Sequence, residues 1–101
     1  MISKIKKKIL PEYFEAVRDG RKTFELRKDE DNIQVGDLLI LREWDGVKFT
    51  GRAIYADVMY VLRNVPQYGL MDGYCIIGIR TLLPCPRLYN PHISNEEQEA
   101  E

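Results

Sequence analysis

The chain has 101 residues, 45% hydrophobic and 31% charged, with a formal net charge of −1. That length suits one domain with a single core, and no apolar run reaches the roughly 20 residues that a membrane-spanning helix needs. Two cysteines ten residues apart and one histidine, His92, fall short of a four-ligand metal set, so neither a metal nor another cofactor is expected. Cys75 lies in an apolar run and is expected in the core, whereas Cys85, between Pro84 and Pro86, is expected to be an exposed thiol.

The charge is unevenly spread. Residues 1–28 carry nine Lys/Arg against four Asp/Glu, and residues 96–101 contribute four glutamates. Without that acidic end the remainder is net positive, which permits an anionic partner, because local potential steers phosphates. Pro11-Glu12-Tyr13 interrupts any signal-peptide apolar segment after the early lysines. The expectation is a cytoplasmic protein.

In chain order, residues 2–10 alternate Ile5 and Ile9 with Lys4, Lys6 and Lys8, which predicts a strand with one wet, basic face. Pro11 and Glu12 suit the first turn of a helix. Leu10, Tyr13, Phe14 and Val17 follow helical spacing and Gly20 is a stop signal, so a helix is predicted over about 11–19. A strand follows over about 22–28, with Phe24 and Leu26 on an apolar face and Thr23, Glu25 and Arg27 on the other. Asp29 to Asn32 reads as a polar loop.

Leu38 to Trp44 reads as a strand buried on both faces, Asp45-Gly46 as a tight turn and Thr50-Gly51 as a further break. Residues 52–62 form the longest β-like run. Asn64 to Gly73 reads as a loop with room for a helical turn, and Tyr74 to Ile79 as a last core strand. An ordered domain over residues 1–88 followed by an acidic mobile tail, 89–101, is expected. One early helix cannot supply the crossovers of a parallel sheet. The fold class predicted is therefore mainly β (α+β): a small mixed, mostly antiparallel barrel with one N-terminal helix packed beside it.

Generic catalytic signatures are missing: there is no phosphate-binding glycine loop, dinucleotide fingerprint or nucleophile elbow. The stretch Gly20-Arg21-Lys22-Thr23-Phe24-Glu25-Leu26-Arg27 holds the most suggestive residues. Strand parity puts Glu25 and Arg27 on one face, where the arginine fork can present donors to a phosphate, a carboxylate or a base edge. Glu25 can orient that fork or accept from an exocyclic amine. The alternative is an exposed ion pair of little energetic worth.

The octet fits G-x-K-x-x-E-x-R and resembles the motif of the ASCH domain of the PUA-like superfamily. Its surroundings are similar too: an N-terminal strand, a helix ending at Gly20, and Val35-Gly36-Asp37 opening the next strand. The run Pro11 to Val17, Leu41-Arg42-Glu43-Trp44-Asp45 and Gly73-Tyr74 resemble a small, uncharacterised bacterial and phage subgroup. The resemblance covers about residues 4–80. It implies a PUA-like β-barrel with a cleft between barrel and helix that binds RNA or a nucleotide. Gly20 would turn the chain, Lys22 and Arg27 would be the cleft cations, and Glu25 their partner. Thr23, Arg42 and Trp44 complete the candidate nucleic-acid-binding set, Trp44 as a stacking surface.

Some ASCH proteins are amidohydrolases that remove acetyl groups from modified cytidine with a lysine, a threonine and a glutamate. Their threonine stands three residues after the lysine, where this chain has Glu25, and Thr23 is offset by two positions. No catalytic residue is therefore assigned. The function expected is an RNA- or nucleotide-binding module centred on the motif. The alternatives are a small amidohydrolase acting on a modified nucleoside and a non-catalytic protein-interaction adaptor, its protein partner unspecified.

Overall fold

The isoleucine–lysine alternation makes Lys4–Ile9 a strand, β1, in which Ile5 and Ile9 are buried and Lys4, Lys6 and Lys8 are exposed. The structure is a computed structural model, and it describes residues 2–82. The expectations for Cys85, His92, the boundary at residue 88 and the acidic tail 89–101 lie outside the described residues.

Helix α1 runs Pro11–Arg18, with Pro11 in the first turn, where its missing N–H leaves no hydrogen bond unmade. It buries Phe14 and Val17. The Asp19 amide donates to Glu15 O and the amides of Arg21 and Lys22 both donate to Ala16 O at 3.0 Å, so the chain folds back tightly at the helix end. Gly20 makes that reversal at φ 83°, a conformation that costs a residue with a Cβ considerably more.

The remaining strands are β2 (Phe24–Lys28), β3 (Leu38–Trp44), β4 (Phe49–Arg63) and β5 (Tyr74–Thr81), with a 3-10 turn at Pro66–Tyr68 before β5. They form a five-stranded sheet in the order β1-β3-β4-β5-β2. β1 pairs with β3 in parallel, and every other pairing is antiparallel. The parallel pair exists because α1 and β2 lie between β1 and β3 in the chain and carry it back to the same end. The sheet curls into a half-barrel, and its two edge strands, β1 and β2, approach each other along an open seam. Arg27 Nη2 spans that seam, donating to the carbonyl of Lys8 at 2.6 Å.

The concave side holds the core. Leu39 and Leu41 of β3, Ile54 and Val58 of β4 and Ile77 of β5 join Phe14 and Val17 of the helix. Two expectations for β4 are corrected. Thr50-Gly51 does not end a strand, because β4 runs through it with Gly51 at φ 100°. That residue takes up the irregular register between the Arg42↔Ala53 and Trp44↔Phe49 pairs. The alternation over 52–62 is also not uniform, since the register shifts between Val58 and Tyr60. Beyond that bulge Tyr60 is 63% exposed, while Val61 packs on the core.

The loop between β2 and β3 is tied down more firmly than its polar composition implies. Ile33 is 1% exposed, and Asp37, 5% exposed, accepts the amides of Ser3 at 3.2 Å and Gln34 at 2.8 Å. Asp29 pairs with Arg63 of β4, whose Nη2 also donates to Ile33 O at 2.9 Å. Cys75 is fully buried beside this pair, and burial pushes its thiol pKa up. Among the described residues no helix is long and apolar enough to cross a membrane.

Candidate functional site

β2 has the reverse of the expected burial. Phe24 and Leu26 are 46% and 57% exposed, and Glu25 between them is 3% exposed. The charged parity of the strand, Glu25 and Arg27, therefore faces into the half-barrel at the seam. An ionised carboxylate in such a place needs charged partners and hydrogen bonds, since desolvation alone is very costly.

It has both. Lys22 Nζ donates to Glu25 Oε2, and Arg27 approaches Oε1 with Nε at 3.0 Å and Nη2 at 2.7 Å. Lys22 reaches this position from the turn after α1, one residue before Thr23 and outside the regular strand, so the alternation of β2 does not set where its side chain lies. Its ammonium also donates to Phe24 O at 2.7 Å and lies 5.0 Å from the Phe24 ring centroid and 5.7 Å from that of Tyr13. One carboxylate thus fixes two cations from different backbone segments, and the second cation bridges the edge strands.

These groups line a cleft of about 440 Å³ between β1, the start of α1 and β2. Lys8, Ile9, Leu10 and Tyr13 form its far side. Leu10 and Tyr13, 46% and 45% exposed, were expected on the apolar helix face; they face the cleft, while Phe14 and Val17 fill the core. Donors remain available within it. A lysine ammonium has three N–H groups and a guanidinium five, and Arg27 Nη1 has no partner among the described residues. The cleft therefore combines a largely apolar wall, a fixed pair of cations and free donors.

The structure brings together Lys22, Glu25 and Arg27 from the candidate set. The others sit elsewhere. Gly20 shapes the turn without lining the cleft, and Thr23 is exposed and lends its carbonyl to the Ile79 amide at 2.9 Å. Arg42 and Trp44 lie on the convex face of β3. There Arg42 stacks on Phe49, 3.9 Å from the ring centroid, and Lys8 Nζ sits 4.0 Å from the Trp44 centroid.

A further buried carboxylate, besides Glu25 and Asp37, was not anticipated from the sequence. Glu43, 3% exposed, accepts Thr50 Oγ1 at 2.6 Å and Arg52 through Nε at 2.7 Å and Nη2 at 2.9 Å. Arg52 Nη2 also donates to Glu15 Oε2 at 2.6 Å, tying α1 to the sheet. The Arg52 guanidinium holds the Glu43 carboxyl below the usual range against the opposing effect of burial, and Glu43 in turn raises the Arg52 pKa. Its parity offered a signal, since Glu43 shares the inward face with Leu39 and Leu41. Among the described residues no three His, Cys, Asp or Glu side chains converge as a metal site would require.

Fold and site together define a small half-barrel α+β domain with a charged cleft along its open seam. Residues 5–79 match the family described as Domain of unknown function (DUF3850), and the chain belongs to that family. It is similar to a protein of Escherichia phage P2 described as "Uncharacterized 12.9 kDa protein in GpA 3'region", 42% identical over 59 residues. The match takes in 57% of this chain and 54% of that relative, so the chain spans about half the length of the phage protein it resembles.

Proposed function

We propose that this domain binds RNA or a nucleotide in the seam cleft. Lys22 and Arg27 contact the anionic part of the ligand, and the Tyr13–Phe24 rim lies against its apolar faces. The observation that carries this reading is Glu25: a carboxylate 3% exposed, held by two cations, beside a cleft of about 440 Å³. An ordinary surface ion pair has no reason to be buried, and one placed only for stability is often matched by apolar packing. A buried carboxylate that holds two cations in place reduces the ordering cost of ligand binding. The resemblance of the octet to the ASCH motif of PUA-like proteins supports the same ligand class.

The amidohydrolase alternative has weaker support, because Glu25 engages cations through both oxygens and, among the described residues, Tyr13 is the sole hydroxyl side chain lining the cleft. The test is fluorescence anisotropy with a labelled single-stranded RNA and with a nucleoside monophosphate. Lys22→Gln and Tyr13→Ala should each weaken binding about tenfold or more, and Tyr13→Ala changes only an exposed rim residue. Wild-type affinity in both folded variants would overturn the proposal.

A further inference from the structure

Most described cations are paired: Lys7 with Asp31, Arg63 with Asp29, Arg80 with Asp57, and others in the clusters above. Among the described residues, Lys4, Lys6, Lys8, Lys28, Arg42 and Lys48 make no ion pair. All but Lys28 lie on one side of the fold, the convex face of β1 and β3 and the turn beyond Trp44. Lys4, Lys6 and Lys8 occupy alternate positions of β1, spaced by about 6.6 Å as strand geometry dictates. In register beside them are Leu38, Ile40 and Arg42 of β3. Two of these three neighbours are apolar, so the lysines form a single line of charge and not a broad patch.

The line ends in an ordered cluster. Lys8 rests on the Trp44 ring, Arg42 rests on Phe49, and the two rings meet edge to face with centroids 4.9 Å apart at 70°. Among the described residues Arg42 Nε is buried without a hydrogen-bond partner. Lys8 also lines the seam cleft, so the line of charge and the cleft meet at one residue.

We propose that this convex face is a second contact surface, along which the phosphates of a single-stranded nucleic acid run over Lys4, Lys6 and Lys8 to the Arg42–Trp44–Phe49 cluster. The spacing of alternate strand residues is close to that of successive phosphates on an extended single strand. A line one strand wide suits one backbone, whereas a duplex presents two. The aromatic pair holds its cations in place and offers a ring edge to an unpaired base. The choice of nucleic acid as ligand rests on the reading of the cleft, but the residues are different and separately testable.

The experiment is anisotropy titration of a labelled 12-nucleotide single strand across a salt series, with wild type and the double variant Lys4→Ala/Lys6→Ala. Both lysines are exposed and unpaired, so the variant should keep the wild-type melting temperature. Its plot of log affinity against log salt should be shallower by about 1.4, two phosphate contacts at about 0.7 each. Affinity for a nucleoside monophosphate, which reaches only the cleft, should be unchanged. An unaltered salt slope overturns the proposal, as does equally tight binding of a duplex of the same length or of polyglutamate. Loss of binding in Lys22→Gln with no change in the double variant keeps the cleft and removes the second surface; the converse keeps the surface and removes the cleft.

Discussion

Replacing Arg27 with alanine removes more than a surface charge. Glu25 Oε1 loses donors at 3.0 and 2.7 Å, and the carbonyl of Lys8 loses one at 2.6 Å, so the bridge between β1 and β2 is cut. Removing one partner of a fully buried ion pair costs about 3–5 kcal/mol. Arg27 is about one-fifth exposed and Lys22 still holds the other carboxylate oxygen, so about 2–3 kcal/mol is expected here. For a domain of this size each 1 kcal/mol lowers the melting temperature by about 4–8 °C, giving a drop of about 10–20 °C. Urea denaturation followed by Trp44 fluorescence reads the difference directly. Arg27→Lys, which keeps the charge but lacks the fork, should fall between wild type and alanine. A loss below about 0.5 kcal/mol in Arg27→Ala would show that the pair behaves as an exposed one, and the reasoning from burial would fail.

The inverted facing of β2 predicts that Leu26→Ser changes stability by no more than about 0.5 kcal/mol, while Ile77→Ala on the paired strand costs about 2–5 kcal/mol in the same assay. Glu43 makes a pH prediction. Its folded pKa lies below the usual value of 4.5, so its contribution is complete above that value and is lost as pH falls through the lower folded value. Thermal melts between pH 6 and pH 3 should show a steeper decline for wild type than for Glu43→Gln, and equal slopes would refute the assignment. Gly51→Ala should destabilise by about 1 kcal/mol or more, because φ 100° inside β4 strains any residue with a Cβ; an unchanged urea midpoint would contradict that.

The helix was legible because several independent signals coincided: Pro11 at its start, Gly20 at its end, and apolar spacing between them. The lysine face of β1 was legible for a similar reason, since alternation there separates lysine from isoleucine. The facing of β2 was not. Alternation announces two faces without saying which is buried, and hydrophobicity favours Phe24 and Leu26. The seam reverses that preference, because Glu25 and Arg27 satisfy each other, Lys22 and the free carbonyl of the opposite edge strand. The bulge of β4 between Val58 and Tyr60 was hidden by apolar residues on both parities of 52–62, so a one-residue shift left no mark in composition, whereas the irregularity at Thr50-Gly51 was visible only as a break. Lys22 was legible as part of the octet, but its position depended on hydrogen bonds to Ala16 O that no strand pattern encodes.

The central claim, that the seam cleft is a ligand site, is most directly tested by a nitrogen-15 NMR titration with a single-stranded RNA oligonucleotide. The Arg27 Nε–H resonance and the amides of residues 20–28 should shift in a saturable manner, together with those of Leu10 and Tyr13 across the cleft. Saturating RNA that leaves the Arg27 side chain and these amides unmoved would contradict the claim.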